Sequence, residues 1–132
     1  MFESFNFTPE QIKKFFQAAC KDLRLANNAV APEVVFYISY NVVVKTAMAV
    51  CAKNNLRVKS RTGHHVELIA KLAEYLGDTE IEDIANKMRT KRNKDLYAGG
   101  TATSEKEANF YLIFCKRLIN EAEKYLFPNK LF

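Results

Sequence analysis

The segment from Val34 to Ala52 constrains the fold more than any other part of the chain. Val34, Val35, Phe36, Ile38, Val42, Val43, Val44, Ala47, Met48, Val50 and Cys51 make it apolar on almost every side. Its β-branched content would suit a strand. Its length argues against one, because about 20 residues without a turn signal far exceeds a usual strand. The segment therefore reads as a helix over about 32–54. A helix apolar all round belongs at the centre of a bundle, or between a core and a second subunit. Glu33 stands beside its start and Asn41 and Lys45 interrupt it, which favours a buried helix over a membrane span. Asn41 and Lys45 are four apart and share one face. That pair either sits at the rim as satisfied polar groups or belongs to a functional surface.

Four more helices follow from spacing and caps. Thr8, Pro9 and Gln11 form a capping-box start. Ile12, Phe15, Phe16, Ala19 and Leu23 then share a face, and Asn27-Asn28 closes a helix over about 8–27. A loop from Asn55 to Thr62 carries Arg57, Lys59 and Arg61. Thr62 is placed to cap a helix over about 63–76, with Val66, Ile69, Leu72, Ala73 and Leu76 inward and Gly77 as its stop. A helix over about 79–98 starts at Asp78 or Thr79, with Glu82 in a capping box, and ends at Gly99-Gly100. Ser104 and Glu107 open the last, over about 104–126, which Phe127-Pro128 ends. The expectation is all-α: one domain over residues 1–132, an up-and-down bundle of about five helices with short connections. A chain of 132 residues, 48% hydrophobic with 4 Gly and 3 Pro, has the core and the scarcity of breakers to build it.

Several chemistries are excluded. Gly99-Gly100 follows a helix instead of joining a strand to one, so it is no phosphate loop. There is no HExxH motif and no calcium loop. The 3 cysteines, Cys20, Cys51 and Cys115, form no CxxC pair and read as reduced core thiols. His64 and His65 diverge by about 100° on a helix and lack a third histidine, so no metal or other cofactor is expected. Their alternative roles are phosphate contact at a helix N-terminus behind Arg61, or plain solvation. The N-terminus lacks the regions of a signal peptide, which points to the cytoplasm. The net charge of +5 is compatible with RNA, DNA or a nucleotide as partner.

The remaining signal is the basic stretch from Met88 to Tyr97. Ile81, Ile84, Ala85 and Met88 form an apolar stripe, and Arg92 falls within about 40° of its centre. A guanidinium placed there must meet a carboxylate, a carbonyl cluster, a phosphate or a subunit interface, or else snorkel to water. The helix dipole alone accounts for part of the run, since the helix starts acidic and ends basic. Arg89, Asn93 and Tyr97 recur at four-residue spacing on one face, whereas Arg92 points about 140° from Tyr97. A break near Tyr97, or a twofold dimer, could bring the two together.

With this stretch placed late in a bundle helix, the chain resembles the HEPN family. These are helical domains of bacterial and archaeal toxin–antitoxin and nucleotidyltransferase-partner systems and of some eukaryotic ribonucleases. The family's mark is an Arg, usually followed by a polar residue, then a His a few positions on. Here Arg92 is followed by Asn93 and, after Lys94-Asp95-Leu96, by Tyr97. The helix order, Tyr40-Asn41 with Lys45, and Arg61-Thr62-Gly63-His64-His65 add to the likeness, which covers about residues 10–126. The resemblance implies a homodimer with the motif at its interface, binding RNA or nucleotide, in some systems beside a nucleotidyltransferase-like protein. Active members cut RNA without metal. By that likeness Arg92 would bind phosphate, Asn93 would orient it or hold Arg92, and Tyr97 would stand in the proton-transfer place. An unperturbed Tyr, with pKa near 10, is a poor base at pH 7. A non-catalytic or weakly catalytic domain is therefore favoured, with a basic groove of Arg89, Arg92, Asn93, Tyr97, Asn41, Lys45, Arg61, His64 and His65. The alternatives are a metal-independent endoribonuclease, with His64 or His65 supplying the imidazole across the dimer, and a structural adaptor without a nucleic-acid role.

Overall fold

Five helices and one small sheet make up the computed structural model, which describes residues 2–59, 64–97 (96 and 97 by backbone alone) and 102–129. The helices are α1 (Pro9–Asn28), α2 (Pro32–Lys53), α3 (His65–Leu76), α4 (Thr79–Tyr97) and α5 (Glu105–Leu126). Their bounds lie within two residues of those read from periodicity. The start of α1 forms as its sequence dictates. Thr8 Oγ1 accepts from the Gln11 N–H at 3.1 Å, while the Thr8 N–H donates to Gln11 Oε1 at 2.8 Å. Gly77 stops α3 in the left-handed region at φ 68°, where a side chain would be strained.

The central helix is α2, packed on α1, α5, α3 and, more lightly, α4. It is long and apolar enough to cross a membrane by composition, but most of it is buried inside this bundle. Phe36, Val43 and Val50 of α2 are fully buried with Leu72 of α3, Ile81 and Met88 of α4 and Leu118 of α5. Burying each such side chain contributes about 1.5–3 kcal/mol, so truncating one of the larger ones to Ala costs several. Cys51 and Cys115 are buried and Cys20 is half-buried, none of them in a disulfide. Burial pushes the Cys51 thiol up to about 11 and that of Cys115 to about 12, which makes both unreactive.

Four local expectations need correction. The segment read as loop after Asn55 contains strand β2 (Leu56–Val58), which pairs antiparallel with β1 (Phe2–Ser4), Phe2 opposite Val58. Two three-residue strands are too short to show alternation. The N-cap of α3 is His64, without a side-chain cap bond; Thr62 lies outside the described residues, as do Arg61 and Gly99-Gly100. At α4 the cap is Asp78, whose Oδ1 accepts from the Glu80 N–H at 3.0 Å, so Glu82 sits one place too late for a box. Finally, the cation drawn into the interior of α4 is Lys91, 8% exposed, and not Arg92, which is half-buried. Lys91 Nζ lies 3.6 Å from Glu107 and 4.0 Å from Asp95, and 5.4 Å from the Phe36 ring centroid. The first turn of α5 covers that side of α4, which the stripe of α4 alone could not reveal.

Candidate functional site

Phe36 and Tyr40, one turn apart on α2, both face α4. Lys91 lies over the first ring and Arg92 over the second, its Cζ 5.6 Å from the Tyr40 centroid. The Tyr40 hydroxyl reaches across to α3, where its Oη lies 2.8 Å from His65 Nδ1. The two rings tilt at 52° with centroids 5.5 Å apart. Three helices thus contribute to one cluster: α2 the phenol, α3 the imidazole, α4 the guanidiniums.

Arg89 precedes Arg92 by three residues and shares its side of α4. Its Nε donates to Asn86 Oδ1 at 3.1 Å. Among the described residues neither guanidinium has a carboxylate within ion-pair distance, although Lys45, Arg57, Lys71, Lys91 and Arg117 all do. Both arginines act on the phenol and the imidazole. Burial pushes the Tyr40 phenol up to about 12, against a lesser opposing pull from Arg92 and Arg89. Burial lowers the His65 imidazole below its ordinary 6.5, and Arg92 and Arg89 lower it further. At pH 7 the cluster therefore holds a protonated phenol, a neutral imidazole and two guanidinium charges.

The start of α3 adds to this field. His65 is its first residue, His64 makes no side-chain cap bond to it among the described residues, and a helix N-terminus carries positive potential. Among the described residues, His64 Nδ1 and Glu67 Oε2 are buried here without hydrogen-bond partners. The arrangement suits a phosphate: guanidiniums for charge, an imidazole N–H and helix N–H groups as directional donors.

The expected groove is only partly assembled. Arg89, Arg92 and His65 come together. Asn93, half-buried on α4, makes no hydrogen bond to Arg92 among the described residues. Asn41 is exposed on α2. Lys45 is not part of the cluster: its Nζ lies 2.7 Å from Asp22 Oδ2 on α1. Its turn of α2 faces α1, about 140° round from Tyr40, so sharing a face with Asn41 did not bring it to the arginines. Arg61 and the Tyr97 side chain lie outside the described residues. Within the chain Asp95 approaches Lys91, its Oδ2 4.0 Å from Nζ. Tyr40, named in the sequence only as part of the family likeness, is the functional candidate missing from the expected groove. Its signal was a buried hydroxyl on an apolar helix, which needs a polar partner. Among the described residues no group of His, Cys, Asp and Glu has a metal-binding arrangement. Compared with known proteins, the chain matches no family model, no curated protein and no solved structure.

Proposed function

We propose that this is a HEPN-like RNA-binding domain that grips backbone phosphate between Arg89, Arg92 and His65. One observation carries the reading: two guanidiniums without carboxylate partners among the described residues converge on a hydrogen-bonded Tyr–His pair. In this reading the Tyr40 O–H donates to His65 Nδ1, which leaves the ring proton on Nε2, free to donate to a phosphate oxygen. Arg92, stacked on Tyr40, supplies charge at a fixed place. The homodimer, the nucleotidyltransferase-like partner and a toxin–antitoxin setting are carried into this proposal from the family resemblance. Phe110 and Ile113, more than half exposed on α5, offer apolar surface to a second copy.

The test is fluorescence anisotropy of a labelled single-stranded oligoribonucleotide across a salt series. Wild type should bind more weakly as salt rises, and Arg92→Ala should lower both affinity and salt slope, while Lys45→Ala should not. Equal binding by wild type and Arg92→Ala would sink the proposal.

The position of His65 favours a second reading, that of a metal-independent endoribonuclease. An imidazole already stands beside Arg92 within one chain, so Tyr97 need not be the proton-transfer group. In this reading the other tautomer serves: His65 Nδ1–H donates to the Tyr40 oxygen, and Nε2 takes the 2′-hydroxyl proton as that oxygen attacks the adjacent phosphorus. The imidazolium returns the proton to the departing 5′-oxygen, leaving a 2′,3′-cyclic phosphate. Cleavage in excess EDTA that disappears in both Arg92→Ala and His65→Ala supports it; an intact RNA pool rejects it.

A further inference from the structure

The Arg–His cluster accounts for a phosphate and leaves open where the rest of a nucleotide lies. On α2, the flank facing α4 carries Phe36 and Tyr40, and the flank facing α1 carries Lys45, held by Asp22. Between them runs an open strip of Val34, Tyr37 and Asn41, all exposed. Tyr37 is 38% exposed although it belongs to the central helix. It lies one turn before Tyr40, and side chains at that spacing have Cβ atoms about 5–6 Å apart. One sugar separates a nucleotide's phosphate from its base, and Arg92 stacks on the neighbouring Tyr40 ring, its Cζ 5.6 Å from the centroid. The Tyr37 ring is braced from within by Phe36, with centroids 5.9 Å apart at 53°. A braced, exposed aromatic one turn from the Tyr40 ring that carries Arg92 has the features of a stacking platform, because every base has a π-face and the backbone alongside needs cations.

We propose that Tyr37 is the surface on which an unpaired nucleobase stacks while its phosphate rests on Arg89 and Arg92, so that the ligand is single-stranded RNA. The inference rests on the phosphate-site reading. Asn41, one turn further along the same strip, presents amide donors and acceptors to the edge of a stacked base. In a duplex both faces of each base are already stacked, so the platform selects against paired RNA.

The experiment compares wild type, Tyr37→Ala, Tyr37→Trp and Arg92→Ala by anisotropy on three labelled probes: an oligouridine, an abasic strand of the same length, and a duplex. Thermal melts establish that each variant is folded, and sedimentation gives its oligomeric state. Tyr37→Ala should bind the oligouridine about 5- to 100-fold more weakly, with the abasic strand unaffected. Tyr37→Trp should restore binding, and wild type should prefer oligouridine to duplex. If Arg92→Ala weakens binding while Tyr37→Ala does not, the platform is wrong and the phosphate site stands. Equal losses on oligouridine and abasic strand overturn the inference, as does a Tyr37→Ala effect that follows only from a dimer falling apart. If Arg92→Ala leaves every probe bound as before, the phosphate site itself fails.

Discussion

Replacing Tyr40 with Phe isolates the bond that joins α2 to α3 at the site. The substitution keeps the ring, and so its packing and its face for Arg92, and removes only the hydroxyl that lies 2.8 Å from His65 Nδ1. A net hydrogen bond contributes about 0.5–1.5 kcal/mol, and a half-buried nitrogen left unpaired adds to the loss, so about 1–2 kcal/mol should disappear. For 132 residues at about 2.1 cal/mol/K each, the unfolding entropy is about 0.28 kcal/mol/K, which puts the fall in Tm at about 4–7 °C. Urea unfolding of wild type, Tyr40→Phe, His65→Ala and the double variant closes a thermodynamic cycle. The coupling energy should be about 1 kcal/mol. A coupling below about 0.3 kcal/mol, the range of independent sites, would refute the reasoning, because the two side chains would then act separately.

Three further outcomes follow. Since the folded imidazole of His65 lies below its ordinary 6.5, the unfolded chain takes up the proton first on acidification. Stability should therefore fall as pH drops below about 6.5, and His65→Gln should flatten that fall in urea midpoints. On the alkaline side Cys51, Cys115 and Tyr40 stay protonated when folded while the unfolded chain loses those protons, so stability should also decline above about pH 9, as thermal melts would show. Lys45→Ala should cost about 1 kcal/mol by stranding Asp22, 13% exposed, yet leave RNA affinity within twofold in the anisotropy assay.

The fold was legible because its signals are local. Thr8 with Gln11, Ser104 accepting from the Glu107 N–H at 3.0 Å, and Gly77 in the left-handed region each mark an end within a few residues of chain. The apolar run of α2 had to be covered on every side, and the bundle packs α1, α3, α4 and α5 around it. The β1–β2 pair was hidden because it joins segments more than fifty residues apart, each too short to show a period. The site was legible in part for the same reason. Arg92 stood out against its own stripe, Arg89 by its spacing with Asn93 and Tyr97, and His65 at the start of α3. Which of their neighbours would join them depended on helix packing: Lys45 turned to α1, Lys91 was covered by α5, and Tyr40 crossed to His65. Rotation of one helix against the next is a tertiary property, and periodicity fixes faces without saying which helix each face meets.

The most direct measurement is a long-range 1H–15N NMR titration of the histidine rings, with the arginine Nε–H signals followed in parallel, as single-stranded oligouridine is added. The expected result is that the His65 ring and the Arg89 and Arg92 side chains shift together and saturate at a single Kd, with the side chains around Lys45 and Asp22 unchanged. Shifts that leave His65 and both arginines in place while RNA binds elsewhere on the bundle would contradict the proposed phosphate site.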